Sequence, residues 1–134
     1  MINLDKYIGI PYKNKGRDFS GCDCFGLVKL IYQQELKKSL IPADNYSDSD
    51  NLLQVAPLIK QGVSLLCGDE VDIPQFGDIV VFKLRGVPSH IGMYVESNKV
   101  IHIMRNTDSC IERLNSKRLK GRVDGFYRIR ESYF

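Results

Sequence analysis

Phe19-Ser20-Gly21-Cys22-Asp23-Cys24-Phe25-Gly26-Leu27-Val28 is the stretch whose reading decides the fold of this 134-residue chain. Gly21 punctuates a loop, and Asp23 has the short acceptor side chain of a helix N-cap. From Cys24 onward, Leu27, Leu30, Ile31 and Tyr32 recur at helical spacing, which predicts a helix running out near Lys37-Lys38. Cys24 then stands in the first turn. Unpaired backbone N–H groups and the positive end of the helix dipole there favour thiolate over thiol. That makes Cys24 a candidate nucleophile, against the plainer alternative of a structural cysteine.

Upstream, Ile2, Leu4, Tyr7 and Ile8 predict one or two helical turns. They end at Gly9-Ile10-Pro11-Tyr12, where Pro11 forces extended backbone on Ile10. Residues 13–21 read as loop, and so do 41–50. A second helix is expected from Ser49 or Asp50 to Gln61, with Gly62 as its stop and Pro57 as a kink. Residues 63–67 form a short apolar run, and 68–74 an exposed connection. Then the period changes. Residues 79–84, 90–95, 99–104, 110–114 and 124–130 read as strands, with turns at 85–89 and at Ser97-Asn98. Helices followed by an antiparallel meander define an α+β fold, with residues 1–134 expected to form one domain.

Hydrophobic content of 43% and charged content of 26% are ordinary for a soluble globular protein, enough to bury a real core. The net charge is +3. Arg113, Lys117, Arg118, Lys120, Arg122, Arg128 and Arg130 gather near the C-terminus, but acidic residues are interspersed. A solvated face is the expectation, not a nucleic-acid partner. Asp5 and Lys6 interrupt the start before any signal-peptide core, and no stretch approaches the ~20 apolar residues of a membrane span. The chain is thus expected to be made in the cytoplasm without a cleaved signal peptide and without membrane insertion. Cys22, Cys24, Cys67 and Cys110 lack the paired spacing of a zinc ribbon, and Cys22 and Cys24 are too close to bridge comfortably. Cys67 and Cys110 read as small buried hydrophobes.

The chain has only two histidines, His90 and His102, both in expected strands. In a hairpin turning at Ser97-Asn98 they can be cross-strand neighbours. A cysteine–histidine dyad needs an imidazole within reach of the sulfur and a third group holding the other ring nitrogen. His90 is the candidate base and His102 the candidate orienting group. Either histidine taken alone reads mostly as a satisfied core or surface residue. Zinc held by Cys22, Cys24, His90 and His102 is the other alternative, for which C-x-C at a helix start is poor geometry. No metal and no cofactor is expected.

These residues fall into boxes with a known order. Gly9-Ile10-Pro11-Tyr12 is similar to a G-x-P-Y segment, and Asp23-Cys24-Phe25-Gly26-Leu27-Val28 to a D-C-S-G-L-V box. Gly77-Asp78-Ile79-Val80-Val81-Phe82 resembles a G-D-L-V-x-F strand, and His90-Ile91-Gly92-Met93-Tyr94-Val95 an H-V-G-I-Y-V strand. Val100-Ile101-His102 resembles the strand that follows. Together, from Tyr7 to Arg130, the chain resembles the NlpC-type family of papain-like cysteine peptidases, which cut the peptide stems of bacterial cell walls. The resemblance implies Cys24 as nucleophile, His90 as catalytic histidine and His102 as its orienting residue. It places Tyr12 beside the nucleophile, to bind substrate or stabilise the oxyanion, against the alternative of a packed loop aromatic. Asp23 belongs to the same substrate and oxyanion region, and reads more simply as a cap. The backbone N–H of Cys24 is a further oxyanion donor.

Phe25 replaces the usual serine. With Gly16-Arg17-Asp18 before it, the pattern is most similar to the branch found in bacteriophage tail proteins. The implied substrate is a peptidoglycan stem peptide cut at the D-glutamyl–diaminopimelate bond. The implied setting is a phage or prophage tail, with other tail-tip proteins as partners. Two alternatives stay open: an amidase or acyltransferase on the same fold, and a non-catalytic tail-tip assembly module.

Overall fold

Asp23 does what its position suggests. In the computed structural model, which describes residues 2–37, 46–49, 51–62 and 69–129, its carboxylate accepts the backbone N–H of Gly26 at 2.9 Å and starts helix α1, Cys24–Ile31. The helix is buried nearly all round, since only Lys29 of its eight residues is not buried. It then widens into a π-helical turn over Tyr32–Leu36 and stops at Lys37, which adopts φ 55°. A single α-helix to Lys37-Lys38 was the sequence expectation. The apolar period alone does not distinguish the wider turn, in which the Tyr32 hydroxyl donates to the Gly77 carbonyl.

Before α1, the expected loop contains a small hairpin, β1 (Arg17–Asp18) and β2 (Gly21–Cys22), paired antiparallel. Asp18 closes it by accepting the Ser20 N–H at 2.9 Å. The N-terminal apolar pattern forms one 3-10 turn, Asp5–Tyr7. Helix α2 spans Leu52–Gly62 with Pro57 inside it, and buries Val55 and Ile59.

The remaining strands form one six-stranded antiparallel sheet: β3 (Asp69–Val71), β4 (Ile79–Leu84), β5 (Val87–Tyr94), β6 (Lys99–His102), β7 (Cys110–Arg113) and β8 (Val123–Arg128). Their order is β3-β8-β4-β5-β6-β7. The meander is therefore real from β4 to β7, whereas β8 returns to the outer side of β4. Strand β3 corrects the expectation of an exposed connection at 68–74. It is a charged edge strand, Asp69 and Glu70 exposed, so it carries none of the apolar alternation by which strands are recognised.

Strand β4 is apolar at every one of its first four positions because it is buried on both faces. Ile79 and Val81 join the helices in one core with Leu27, Ile31, Val55, Met93 and Ile101. Val80 and Phe82 face a second core, closed by Val100, Leu114 and Leu119. The β4–β5 turn is tighter than the expected 85–89, using Arg85 and Gly86 at φ 53° and 77°. Pro88 consequently lies within β5, next to the register slip between Phe82 and Lys83, where a missing N–H is tolerated. Ser97 and Asn98, at φ 51° and 61°, turn β5 into β6 as expected. This fixes where both histidines point.

Candidate active site

The start of α1 abuts β5. Cys24 is 5% exposed, and its sulfur accepts the backbone N–H of Ile91, one residue past His90. Cys24 and His90 line one cleft of about 250 Å³, together with Tyr12, Ser49, Ser89, Arg85 and Arg105. Of the five residues singled out in the sequence, the structure thus brings Cys24, His90 and Tyr12 to a common surface.

His102 lies behind them. Its Nδ1 is 3.0 Å from His90 Nε2, and the two rings meet edge to face with centroids 5.2 Å apart. Both rings pack on Phe82, at centroid distances of 5.3 and 6.0 Å. The second His102 nitrogen, Nε2, is 2.9 Å from Glu112 Oε1. Glu112 in turn accepts Arg118 Nε at 2.8 and 3.0 Å and Ser116 Oγ at 2.6 Å. A hydrogen-bonded row therefore leads from the cleft through His90, His102 and Glu112 to Arg118. Sequence reasoning missed Glu112. A charged residue in a short strand reads as solvent-facing, and only the register His102↔Cys110 puts the residue two further on beside that ring.

Asp23, next to Cys24 in the chain, is fully buried and is not among the residues lining the cleft. Its carboxylate accepts the Gly26 and Lys15 N–H groups, each at 2.9 Å, and Arg17 Nη1 at 2.8 Å, as well as the Tyr46 hydroxyl. These contacts make it a helix cap and the anchor of the loop at 46–49. The same loop holds Tyr12, whose hydroxyl shares a hydrogen bond with Ser49, while the Arg105 guanidinium lies 5.2 Å over the Tyr12 ring.

The electrostatics overturn one expectation. A helix start favours thiolate, yet burial and the neighbouring Asp23 carboxylate push the Cys24 thiol up to about 12, against weaker help from the Ile91 and Phe25 N–H groups and Arg17. Burial, with His102 and Arg118 adding to it, holds His90 well below the usual imidazole range. Burial also lowers His102, although Glu112 opposes the shift. The shifts at Cys24 and His90 both favour the neutral form of the group. Cys110 is also corrected: it is half-buried, with its sulfur 4.0 Å from Glu112 and 3.6 Å from Arg118. Cys22 is buried and donates to the Asp18 carbonyl at 3.2 Å. Cys67 lies outside the described residues. Among the described residues, His102, Cys110 and Glu112 bring three metal-ligating atoms within 4.8 Å of one another. The Arg118 cation already lies against that carboxylate and that sulfur.

A helix-borne cysteine against a histidine-bearing antiparallel sheet defines a class, the papain-like α+β fold. Residues 9–128 match the NlpC/P60 family, and the chain belongs to that family, whose members are generally cysteine peptidases. The NlpC/p60 domain of the peptidoglycan hydrolase SagA is similar at 20% identity and a TM-score of 0.65, covering 94% of this chain and 92% of that one. An NlpC/P60 family protein from Bacillus cereus ATCC 10987 is similar at 26% identity and a TM-score of 0.66, over 92% of this chain. A lipoprotein-like NLP/P60 protein from Staphylococcus aureus Mu50 shows 22% identity and a TM-score of 0.64, over 94%. The chain spans only 36% and 39% of the latter two. A search of curated protein sequences returned no significant match.

Proposed function

We propose that this protein is a cysteine endopeptidase acting on peptidoglycan stem peptides, with Cys24 as nucleophile, His90 as general base and acid, and His102 orienting His90. The observation that carries this reading is the shared cleft. Cys24 and His90 line it together, while His90 Nε2 is engaged by His102. That leaves Nδ1 as the nitrogen available to the sulfur. On attack, Sγ bonds to the peptide carbonyl carbon as its proton passes to His90 Nδ1. The oxyanion that forms meets the Cys24 backbone N–H, which has no partner within its own helix turn, and the Tyr12 hydroxyl at the cleft wall. His90 then delivers the proton to the leaving amine. Water, deprotonated by His90, releases the acyl group from sulfur.

With burial favouring neutral thiol and imidazole, the arrival of substrate is the point at which the reactive ion pair develops. Arg85 and Arg105, the latter paired with Asp48 at 2.7 Å, put guanidinium donors on the cleft suited to a peptide bearing free carboxylates. That matches a D-glutamyl–diaminopimelate bond, whose two residues each retain a carboxylate. The Phe25 variant of the cysteine box supports a phage or prophage tail as the setting, with tail-tip proteins as neighbours. Digestion of purified peptidoglycan, with products identified by mass spectrometry, tests the reading. New diaminopimelate amino termini are expected. New sugar reducing ends, or no soluble products, would count against it.

A further inference from the structure

Glu112 offers only acceptors, and every group facing it is a donor or a thiol: His102 Nε2 at 2.9 Å, Ser116 Oγ at 2.6 Å, Arg118 Nε at 2.8 Å and Cys110 Sγ at 4.0 Å. Ionised, this carboxylate obliges His102 to carry its proton on Nε2. A neutral His102 then has a bare Nδ1, which is an acceptor. The contact at 3.0 Å from that Nδ1 to His90 Nε2 therefore needs the proton on His90 Nε2. The neutral His90 ring is left with a bare Nδ1, the form a general base requires. We propose that Glu112, clamped by Arg118 and Ser116, is a positioning residue that sets the tautomers of both histidines through two successive hydrogen bonds and so keeps His90 Nδ1 free to take the Cys24 proton.

The surroundings support this. Hydrogen bonds from Ser116, His102 and Arg118 outweigh the effect of burial and hold Glu112 below the usual carboxylate range, hence ionised. Burial keeps His102 neutral despite the adjacent carboxylate. A charged His102 would instead donate from Nδ1 to His90 Nε2, forcing the His90 proton onto Nδ1 and blocking it as a base. Glu112 does not line the cleft, so its effect falls on the proton-transfer step and not on substrate binding.

The inference rests on the proposed peptidase site, but its first test does not need turnover. Nitrogen-15 NMR of the histidine rings near neutral pH reports which nitrogen carries each proton. In the wild type both rings are expected as Nε2–H tautomers. Glu112→Gln, whose amide oxygen the Arg118 guanidinium holds so that its NH2 donates to His102 Nε2, is expected to shift His102 and His90 toward Nδ1–H. It should lower kcat on a stem peptide by about 100-fold or more with KM little changed. Glu112→Asp, which keeps the acceptor, should restore the wild-type tautomers. An Nδ1–H proton on either wild-type ring overturns the proposal, and this holds even where the variants do not fold. Wild-type tautomers or wild-type kcat in Glu112→Gln overturn it as well. Tautomers that shift as expected in a protein that cleaves no stem peptide would sustain the proposal and reject the peptidase reading.

Discussion

Cys24 joins two opposing influences at one atom. The helix start and two backbone N–H groups favour the thiolate, but burial and Asp23 favour the thiol, and burial wins, lifting it to about 12. The alkylation rate of Cys24 by iodoacetamide, followed by peptide mass spectrometry, should accordingly keep rising well above pH 9 in the substrate-free protein. A plateau near neutrality would mean a preformed thiolate. The two histidines carry a second consequence. Their pKa values are lowered in the folded state, so as pH falls through about 6.5 the unfolded chain gains protons that the native protein does not. Stability from this source is full well above that pH and falls as pH drops below it. Urea midpoints at pH 7.5 and 5 should differ more for the wild type than for His90→Gln. These residues were legible as types and spacings, whereas the balance at Cys24 was not, because depth of burial is a property of the packed site.

At the level of elements, α1 shows why a residue pattern can be read correctly for incomplete reasons. Asp23, Cys24 and the apolar period mark the helix start, but Gly26 looks like a weakness in it, since glycine costs about 1 kcal/mol against alanine in a helix interior. The fold explains it. A Cβ at Gly26 would stand 1.9 Å from the Gly16 carbonyl oxygen, in the loop that Asp23 and Arg17 tie to the helix. Gly26→Ala should therefore destabilise the protein by about 2 kcal/mol or more, as overpacking does, where propensity alone predicts a gain. Chemical denaturation reads the sign directly. Sequence located β4 to β8, most sharply β4 to β6, whose apolar runs are bounded by glycine or asparagine turns. β3 escaped because its edge position makes it polar, and the β1–β2 hairpin because two residues per strand leave no period to detect.

On the scale of the whole molecule, the site depends on contacts that no local pattern contains. Helix α1 supplies the sulfur, β5 the first histidine, β6 the second and β7 the carboxylate behind it, and the sheet order sets their sequence in space. The two-sided burial of β4 holds β5 between the helical core and the core closed by Leu114 and Leu119. The turn at Ser97-Asn98 made the pairing of β5 with β6 readable. The closure of the cleft by Ser49 and Arg105 was not readable, because those residues lie 25 and 81 positions from Cys24 with no intervening signal. The most direct measurement is digestion of a defined stem peptide containing the D-glutamyl–diaminopimelate bond by the wild type and by Cys24→Ala, followed by mass spectrometry. Cleavage at that bond by the wild type and none by Cys24→Ala is the predicted result. Equal cleavage by both proteins, or an intact peptide with both, would contradict Cys24 as the nucleophile of a cell-wall peptidase.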